Sequence, residues 1–549
     1  MAREVHHNVA GNAKAGAAAW EANGDWRRGE EVGGAEAGWP EAQLLQRTVT
    51  AVGWQFATTF GKYGLQFLVV AVLSRLLSPE DFGLVGQAMI FVGLANLFSD
   101  IGVAPALIQR KNITDAHIRV AFTFSVITGL TIAAIAWLTA WIPALVFRSP
   151  ALEPLLRLLS VTLLFKSIGI TATCLLMRRL DFRRWFWIYI GAYVAGSATV
   201  GVSMALAGYG AWALAWAYVT QDALSCVILL AVVRHPMRFL FAPREARELL
   251  GFGVGLTLSR LTHYATQNLD RFVVGRWLGA APLGLYTRAY ELLTVSNETF
   301  AQVLGRVLFP AFSKMQDEPK RLRSAYLRAV STVSLVAFPI FTGLSVAAPE
   351  AVRFVFGPQW DAAVLPVQIL CAGGVFWSVT TISDAVVQAL GAVYSIFWRR
   401  VALSAAIFAG ALIGSQQGIA GVAAGVAVSL VMMYFLMARL CLRLTQGDWR
   451  EFAICQIPGI CTTALITCAA HAAAVLMRAH AFSTGLTLVV IVLSGLAVAV
   501  VAVLALPRSR LPESCRWSLQ KIDASLGKGI GVLEGRGFPV PFLAGWLEK

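Results

Sequence analysis

Fourteen stretches of this chain are apolar for about the length that a bilayer demands. They run over 49–74, 82–108, 119–147, 151–177, 185–208, 211–233, 249–275, 283–312, 326–348, 363–390, 398–416, 419–438, 452–476 and 482–506. A helix needs roughly 20 apolar residues to cross the hydrocarbon core. Backbone in lipid must satisfy its own hydrogen bonds, which leaves helices or closed barrels. The alternating segments of about ten residues that mark barrel strands do not appear. The predicted fold class is therefore an all-α polytopic membrane protein with about 14 transmembrane helices. Composition agrees: 57% of the 549 residues are apolar and 14% are charged. A soluble surface needs roughly a quarter charged, so a chain of several soluble domains is excluded.

The net charge of +15 would suggest nucleic acid on a soluble protein. Placing the 45 Lys and Arg removes that need. The even-numbered connections, such as RRLDFRR (178–184) and KMQDEPKRLR (314–323), hold 21 of them with their margins, and the odd-numbered connections hold five. The positive-inside bias then puts both termini and every even connection in the cytoplasm. The alternation never breaks, which supports fourteen spans. Residues 1–47 and 507–549 read as cytoplasmic tails, the first of them disordered. No nucleic-acid partner is expected.

The chain repeats itself at an offset of 201 residues. Residues 60–88, FGKYGLQFLVVAVLSRLLSPEDFGLVGQA, match 261–289, LTHYATQNLDRFVVGRWLGAAPLGLYTRA, at nine of 29 positions without a gap. The matches include Tyr63/Tyr264, Gln66/Gln267, Arg75/Arg276 and Gly83/Gly284. The copies begin in spans 1 and 7, an even offset of six, so both run in the same direction. The expected architecture is two six-helix lobes related by an axis along the membrane normal, as in parallel-repeat carriers. The N-lobe takes 48–248 and the C-lobe 249–445, with spans 13 and 14 (446–506) appended.

Ionisable groups inside spans cost about 2.5–3.5 kcal/mol each on the insertion scale, so their placement is informative. Span 1 carries Gln55, Thr59, Lys62 and Gln66, span 7 carries Arg260, Tyr264, Gln267 and Arg271, and span 10 carries Trp377, Thr381, Asp384 and Gln388. Each set follows offsets of 0, 4, 7 and 11, one face of a helix. Span 8 adds Arg288, Glu291 and Glu298, span 2 adds Asn96 and Asp100, and span 6 adds Asp222. Lys166 falls off the polar face of its own span and is not counted. A hydrated cavity between the lobes is the functional reading. Lys62, Gln66, Arg260, Tyr264, Gln267, Arg271 and Arg288 are its candidate substrate-binding residues. Arg offers bidentate bonds to phosphate oxygens and Lys a point charge, so an anionic head group would suit them. Asp100, Asp270, Glu298 and Asp384 are candidates for proton or cation coupling. The plainer reading is that such charges pair and tie helices together, as Arg288 and Glu291 could at i,i+3. Gly251, Gly255, Gly421 and Gly425 give small-xxx-small spacings, which mark close helix packing. The eight Cys lack metal-ligand spacing, and no nucleotide-binding motif is visible. No cofactor is expected beyond coupling to H+ or Na+.

The run SRLLSPEDFGLVGQAMIFVGLANLFSDIGVAPALIQRKNIT (74–114) resembles the bacterial polysaccharide exporters of the Wzx type, and within them the colanic-acid exporter branch (WzxC-like). The likeness continues through NLDRFVVGRWLGAAPLGLYTRAYELL (268–293), QVLGRVLFPAFSKMQ (302–316) and FGPQWDAAVLPVQIL (356–370). That family belongs to the MOP superfamily, with the MATE drug exporters and the lipid II flippases. The resemblance implies two six-helix lobes plus two further helices. It also implies a cargo, an undecaprenyl-pyrophosphate-linked oligosaccharide moved from the cytoplasmic to the periplasmic leaflet of the inner membrane. Polysaccharide polymerase and co-polymerase are the implied protein partners. Arg271, directly after Asp270, departs from the less charged residue expected there.

Two other classes compete. A MATE-like cation-coupled drug antiporter typically has twelve helices and an acidic cavity, whereas this chain has fourteen predicted spans and basic stripes. A membrane-embedded polysaccharide polymerase or glycosyltransferase usually needs a sizeable loop or domain for its chemistry. No connection between the spans exceeds about twenty residues, so no enzyme activity is expected.

Overall fold

The computed structural model describes residues 61–99, 106–108, 110, 113–243, 253–297 and 303–505. Among them the ordered elements are helices, with no strand. In chain order, α1 covers 61–76, α2 Pro79–Ser99, α3 Asp115–Leu138 and α4 Leu152–Arg178. Next, α5 starts at Phe182–Tyr193, passes a π turn at Val194–Gly201 and ends at Val202–Leu206, and α6 is Ala211–Val232. In the second half, α7 is Gly253–Val273, α8 Ala280–Asn297, α9 Val303–Ser313 and α10 Pro319–Val355. The last five are α11 (Val364–Ala389), α12 (Val393–Gly414), α13 (Gly418–Leu444), α14 (Ile457–Ala479) and α15 (Thr484–Ala505). Ten helical stretches among the described residues are long and apolar enough to cross a membrane, and one of them, Tyr394–Leu444, contains both α12 and α13. The chain is thus an all-helical, multi-pass membrane protein.

Local chemistry marks the helix ends. Thr114 caps α3 in a reciprocal capping box with His117, satisfying amides that an N-terminus leaves orphaned. Asp181 caps α5 by accepting from the Arg184 amide at 3.2 Å. Pro319 opens α10, where its missing N–H costs nothing. The outer surface is apolar: Leu130, Leu145, Val227, Ile413 and Val428 are each more than half exposed. That much apolar surface is stable in lipid and an aggregation liability in water.

Small residues set the helix spacing where no hydrophobic force between helices exists in lipid. Gly410 and Gly414 of α12 lie against Gly425 and Gly421 of α13, so close that an added Cβ on Gly421 would sit 2.1 Å from the Gly414 carbonyl oxygen. The Gly421/Gly425 spacing in the sequence therefore marks a real helix crossing. Helices α14 and α15 pack on α10, where Ala347, Ala470, Ala474 and Ile491 form a small buried cluster. Arg478 of α14 also donates to both carboxylate oxygens of Glu350 on α10, at 2.7 and 2.9 Å.

The two halves of the chain meet at a seam with visible two-fold character. A Cβ on Gly83 would lie 1.7 Å from the Ala280 carbonyl oxygen, and one on Gly284 would lie 1.9 Å from that of Pro79. Gly83 and Gly284 are 201 residues apart, and so are Pro79 and Ala280. Each repeat therefore offers its glycine to the other repeat's helix start. Around this crossing Gln359 Nε2 and the Trp360 indole donate to the Ser74 carbonyl at 2.7 and 2.9 Å. Arg75 donates to the Phe354 carbonyl. Trp360 is fully buried and meets Phe82 edge-on at 5.4 Å. Gln87 of α2 donates to the Gly275 carbonyl at 3.1 Å. These residues lie at the ends of α1, α2, α8 and α10 that adjoin odd-numbered connections.

Candidate functional site

The polar stripe of span 10 is real and has a destination. Trp377, Thr381, Asp384 and Gln388 project from one face of α11 into a cavity of about 450 Å³. The opposite face carries Val379, Ile382 and Val386, all fully buried in the core. Among the described residues the other walls come from the second half of the chain: His263, Thr266 and Gln267 of α7, Tyr290 of α8, Phe309 of α9, Arg400 of α12, and Leu430 and Met433 of α13. Arg400 Nη2 reaches Asp384 Oδ2 at 3.4 Å, a long contact. Asp384 Oδ1 is buried with no hydrogen-bond partner. Gln267 Nε2 bonds the His263 ring at 3.0 Å, and Thr266 pairs with Ser404 at 2.6 Å.

A second, smaller cavity of about 210 Å³ lies within the first half, between α2, α4 and α6. Asn96, Lys166, Ser167, Thr173 and Asp222 line it. Lys166 Nζ sits 3.4 Å from Asp222. Helix periodicity had set Lys166 aside, because the stripe on its own span points elsewhere. Its partner is on α6, and one helix's pattern does not show that.

The basic candidates go to several places. Lys62 Nζ lies over the Tyr189 ring of α5, 5.2 Å from its centroid, inside the first half. Arg271 stacks 4.9 Å over Tyr290. Arg288 pairs with Glu291 on its own helix. Its guanidinium also lies 4.5 Å over Phe82 of α2, which carries it across the seam. Gln66 and Arg260 are half-buried on α1 and α7. Tyr264 serves the seam: its hydroxyl donates to the Ile90 carbonyl of α2 at 2.6 Å. Asp270 is buried and accepts from the Tyr286 hydroxyl at 2.7 Å. Asp100 and Glu298 lie outside the described residues. Among the described residues each of these two cavities lies within one half, with Lys166 beside Asp222 in the first and Arg400 beside Asp384 in the second. Helix rotation turns Lys62 and Arg271 onto aromatic rings, where an ammonium or guanidinium gains a cation–π contact. Arg400 and His263 were missed, Arg400 because it stands in the short basic run WRR and was read only as an orienting charge.

A family model described as "Polysaccharide biosynthesis protein" matches residues 72–365. The chain belongs to that family of polysaccharide biosynthesis proteins. Among its relatives is the lipopolysaccharide biosynthesis protein WzxC of Escherichia coli, 26% identical over 407 residues, covering 72% of this chain and 82% of that one. The succinoglycan biosynthesis transport protein ExoT of Rhizobium meliloti is 29% identical over 377 residues, covering 67% and 76%. The teichuronic acid biosynthesis protein TuaB of Bacillus subtilis is 26% identical over 396 residues, covering 70% and 81%. Of solved structures, the lipid II flippase MurJ in an inward closed conformation aligns with TM-score 0.65 at 14% identity, over 83% of this chain and 98% of MurJ. An inward-facing multidrug MATE transporter of the MOP superfamily aligns with TM-score 0.56 at 16% identity, over 70% and 95%. The family member described here therefore has the MOP transporter fold. Of these relatives ExoT is named for transport, and the two solved structures share this fold. The resemblance read from residues 74–114 and 268–293 is to this same group.

Proposed function

We propose that the chain is a flippase of the bacterial inner membrane. It would move undecaprenyl-pyrophosphate-linked oligosaccharide units from the cytoplasmic to the periplasmic leaflet for exopolysaccharide or lipopolysaccharide synthesis. The observation that carries this reading is the family match, which spans both repeats, together with the transport role named for ExoT. In this proposal residues 48–248 and 249–445 are two six-helix lobes, 446–506 add two more spans for fourteen in all, and both termini are cytoplasmic. The seam at Gly83 and Gly284 closes the periplasmic side, because positive-inside bias assigns the odd connections there. The pyrophosphate enters between the lobes from the cytoplasm, met by Lys62, Gln66, Arg260, Arg271 and Arg288, with Tyr264 and Gln267 beside them. The polyprenyl tail stays in lipid. Rocking the lobes then opens the Gly83–Gly284 crossing and closes the opposite side.

Each unit charge that crosses a potential of 100 mV is worth about 2.3 kcal/mol. Net charge carried with the head group therefore couples transport to the potential. Asp100, Asp270, Glu298 and Asp384 are the acids through which H+ or Na+ would reset the carrier. A polymerase and co-polymerase would take the delivered unit.

The test is reconstitution. Proteoliposomes holding the purified chain and the parent bacterium's own lipid-linked oligosaccharide should expose that lipid on the far leaflet faster than protein-free vesicles. Equal rates with and without protein, or formation of a new glycosidic bond by the purified chain, would overturn the proposal.

A further inference from the structure

The cavity between α7, α11 and α12 has a chemistry of its own. Among the described residues its formal charges cancel, since Asp384 and Arg400 face each other. A neutral pocket gives no net attraction to a pyrophosphate, and none to an organic cation. What remains is a dense set of directional groups. Trp377 offers a flat apolar face. Gln267 and Gln388 offer carboxamides with both donors and acceptors, and Thr381 a hydroxyl. Asp384 Oδ2 meets Arg400 only at a long 3.4 Å, which leaves this charged acceptor able to take a stronger hydrogen bond from a ligand hydroxyl. The Thr381 hydroxyl already donates to the Trp377 carbonyl at 3.2 Å, so its free lone pairs accept.

A sugar ring matches this set. Its hydroxyls donate and accept in one plane, and its C–H face packs on an indole. The volume of about 450 Å³ falls within the roughly 300–1,000 Å³ of small-molecule sites. At ~30 Å³ per water it has room for about fifteen waters, enough for a hexose and its hydroxyls. The stripe Trp377–Gln388 spans eleven residues of rise, on the order of 16 Å, so it can line more than one sugar ring.

We infer that this second-half cavity is a saccharide subsite. Trp377 stacks on a sugar ring, Asp384 Oδ2 accepts from its hydroxyls, and the amides of Gln267 and Gln388 read their arrangement. The inference rests on the proposed flippase function and names the part of the cargo that this site reads. Selectivity among glycans then resides chiefly in α11, with Gln267 of α7 standing between this subsite and the groups that meet the pyrophosphate.

The test compares two lipids on the purified full chain by native mass spectrometry. One is the lipid-linked oligosaccharide that accumulates in the parent bacterium when this chain is deleted, and the other is bare undecaprenyl pyrophosphate. Trp377→Ala and Asp384→Asn should weaken retention of the glycosylated lipid by about tenfold and leave the bare lipid unchanged. Trp377→Phe should restore most of the loss, which a purely structural role for the indole would not require. Unchanged melting in detergent keeps the variants interpretable. If both lipids weaken equally, or neither does, the subsite is wrong while the flippase reading stands. If the parent protein retains neither lipid, the flippase reading itself falls, and the subsite with it.

Discussion

Gly284→Ala adds one methyl group at the seam, and the structure says what it meets. The new Cβ would lie 1.9 Å from the Pro79 carbonyl oxygen, where contacts under 3.0 Å are essentially never seen. The start of α2 and the start of α8 must therefore separate by at least about 1.1 Å. The obstacle is backbone, so no rotamer change relieves it. Overpacking of this kind costs typically about 1–3 kcal/mol. If the closed seam alone bears that cost, its population relative to the open form falls about 5- to 150-fold.

Ser74 supplies the reporter, because it is fully buried beneath Gln359 and Trp360 at the same seam. In a chain with its eight native Cys replaced by Ala, Ser74→Cys should react slowly with a maleimide. Adding Gly284→Ala, or its repeat-related partner Gly83→Ala, should raise that rate at least about fivefold. Gly64→Ala is the control, since nothing lies within 4 Å of its added Cβ. It should leave the rate unchanged. Labelling within a factor of two of the parent in both seam variants would refute the idea that these glycines hold the closed form.

Other consequences follow from single contacts. Tyr264→Phe removes the bond to the Ile90 carbonyl and should lower stability by about 1 kcal/mol, read as a drop in melting temperature in detergent. Arg478→Ala strips the bidentate partner from Glu350, which is 8% exposed. With Arg478 itself partly exposed, the loss should be about 1–3 kcal/mol. The double variant with Glu350→Ala should recover most of it; full additivity in the cycle would deny the coupling. His235, in the connection after α6, is buried against Phe122 at 5.4 Å. Burial lowers its pKa below the ordinary 6.5. Below that ordinary value the unfolded segment takes up a proton that the folded one resists, so stability is lost as pH falls. Protection from hydrogen exchange across 233–243, taken relative to the intrinsic rate at each pH, should fall between pH 8 and pH 5.5, and His235→Phe should remove that fall.

Much of the site was legible as helix faces. Trp377, Thr381, Asp384 and Gln388 share a face because offsets of 0, 4, 7 and 11 return to one side of any α-helix, and α11 does present them together. What faces them was not legible. Arg400 comes from a run that also orients the protein, and its approach to Asp384 depends on how α12 packs on α13. Lys166 was discarded by its own helix's pattern, yet its partner Asp222 stands on another helix. Lys62 and Tyr264 both stand on predicted cavity faces, but one lies over Tyr189 and the other bonds α2.

The one-dimensional string determined the solvent, the local structure and the duplication. Apolar length demands lipid, lipid demands helix, and a repeat 201 residues apart points to two alike halves. Those constraints act on one segment or on one pair of matching segments. Tertiary structure alone decided where the polar faces look. Rotation of a helix about its axis and its choice of neighbours are set by packing among many helices at once. The glycine pair shows both levels: Gly83 and Gly284 match as letters, but only the packed halves turn each against the other's backbone.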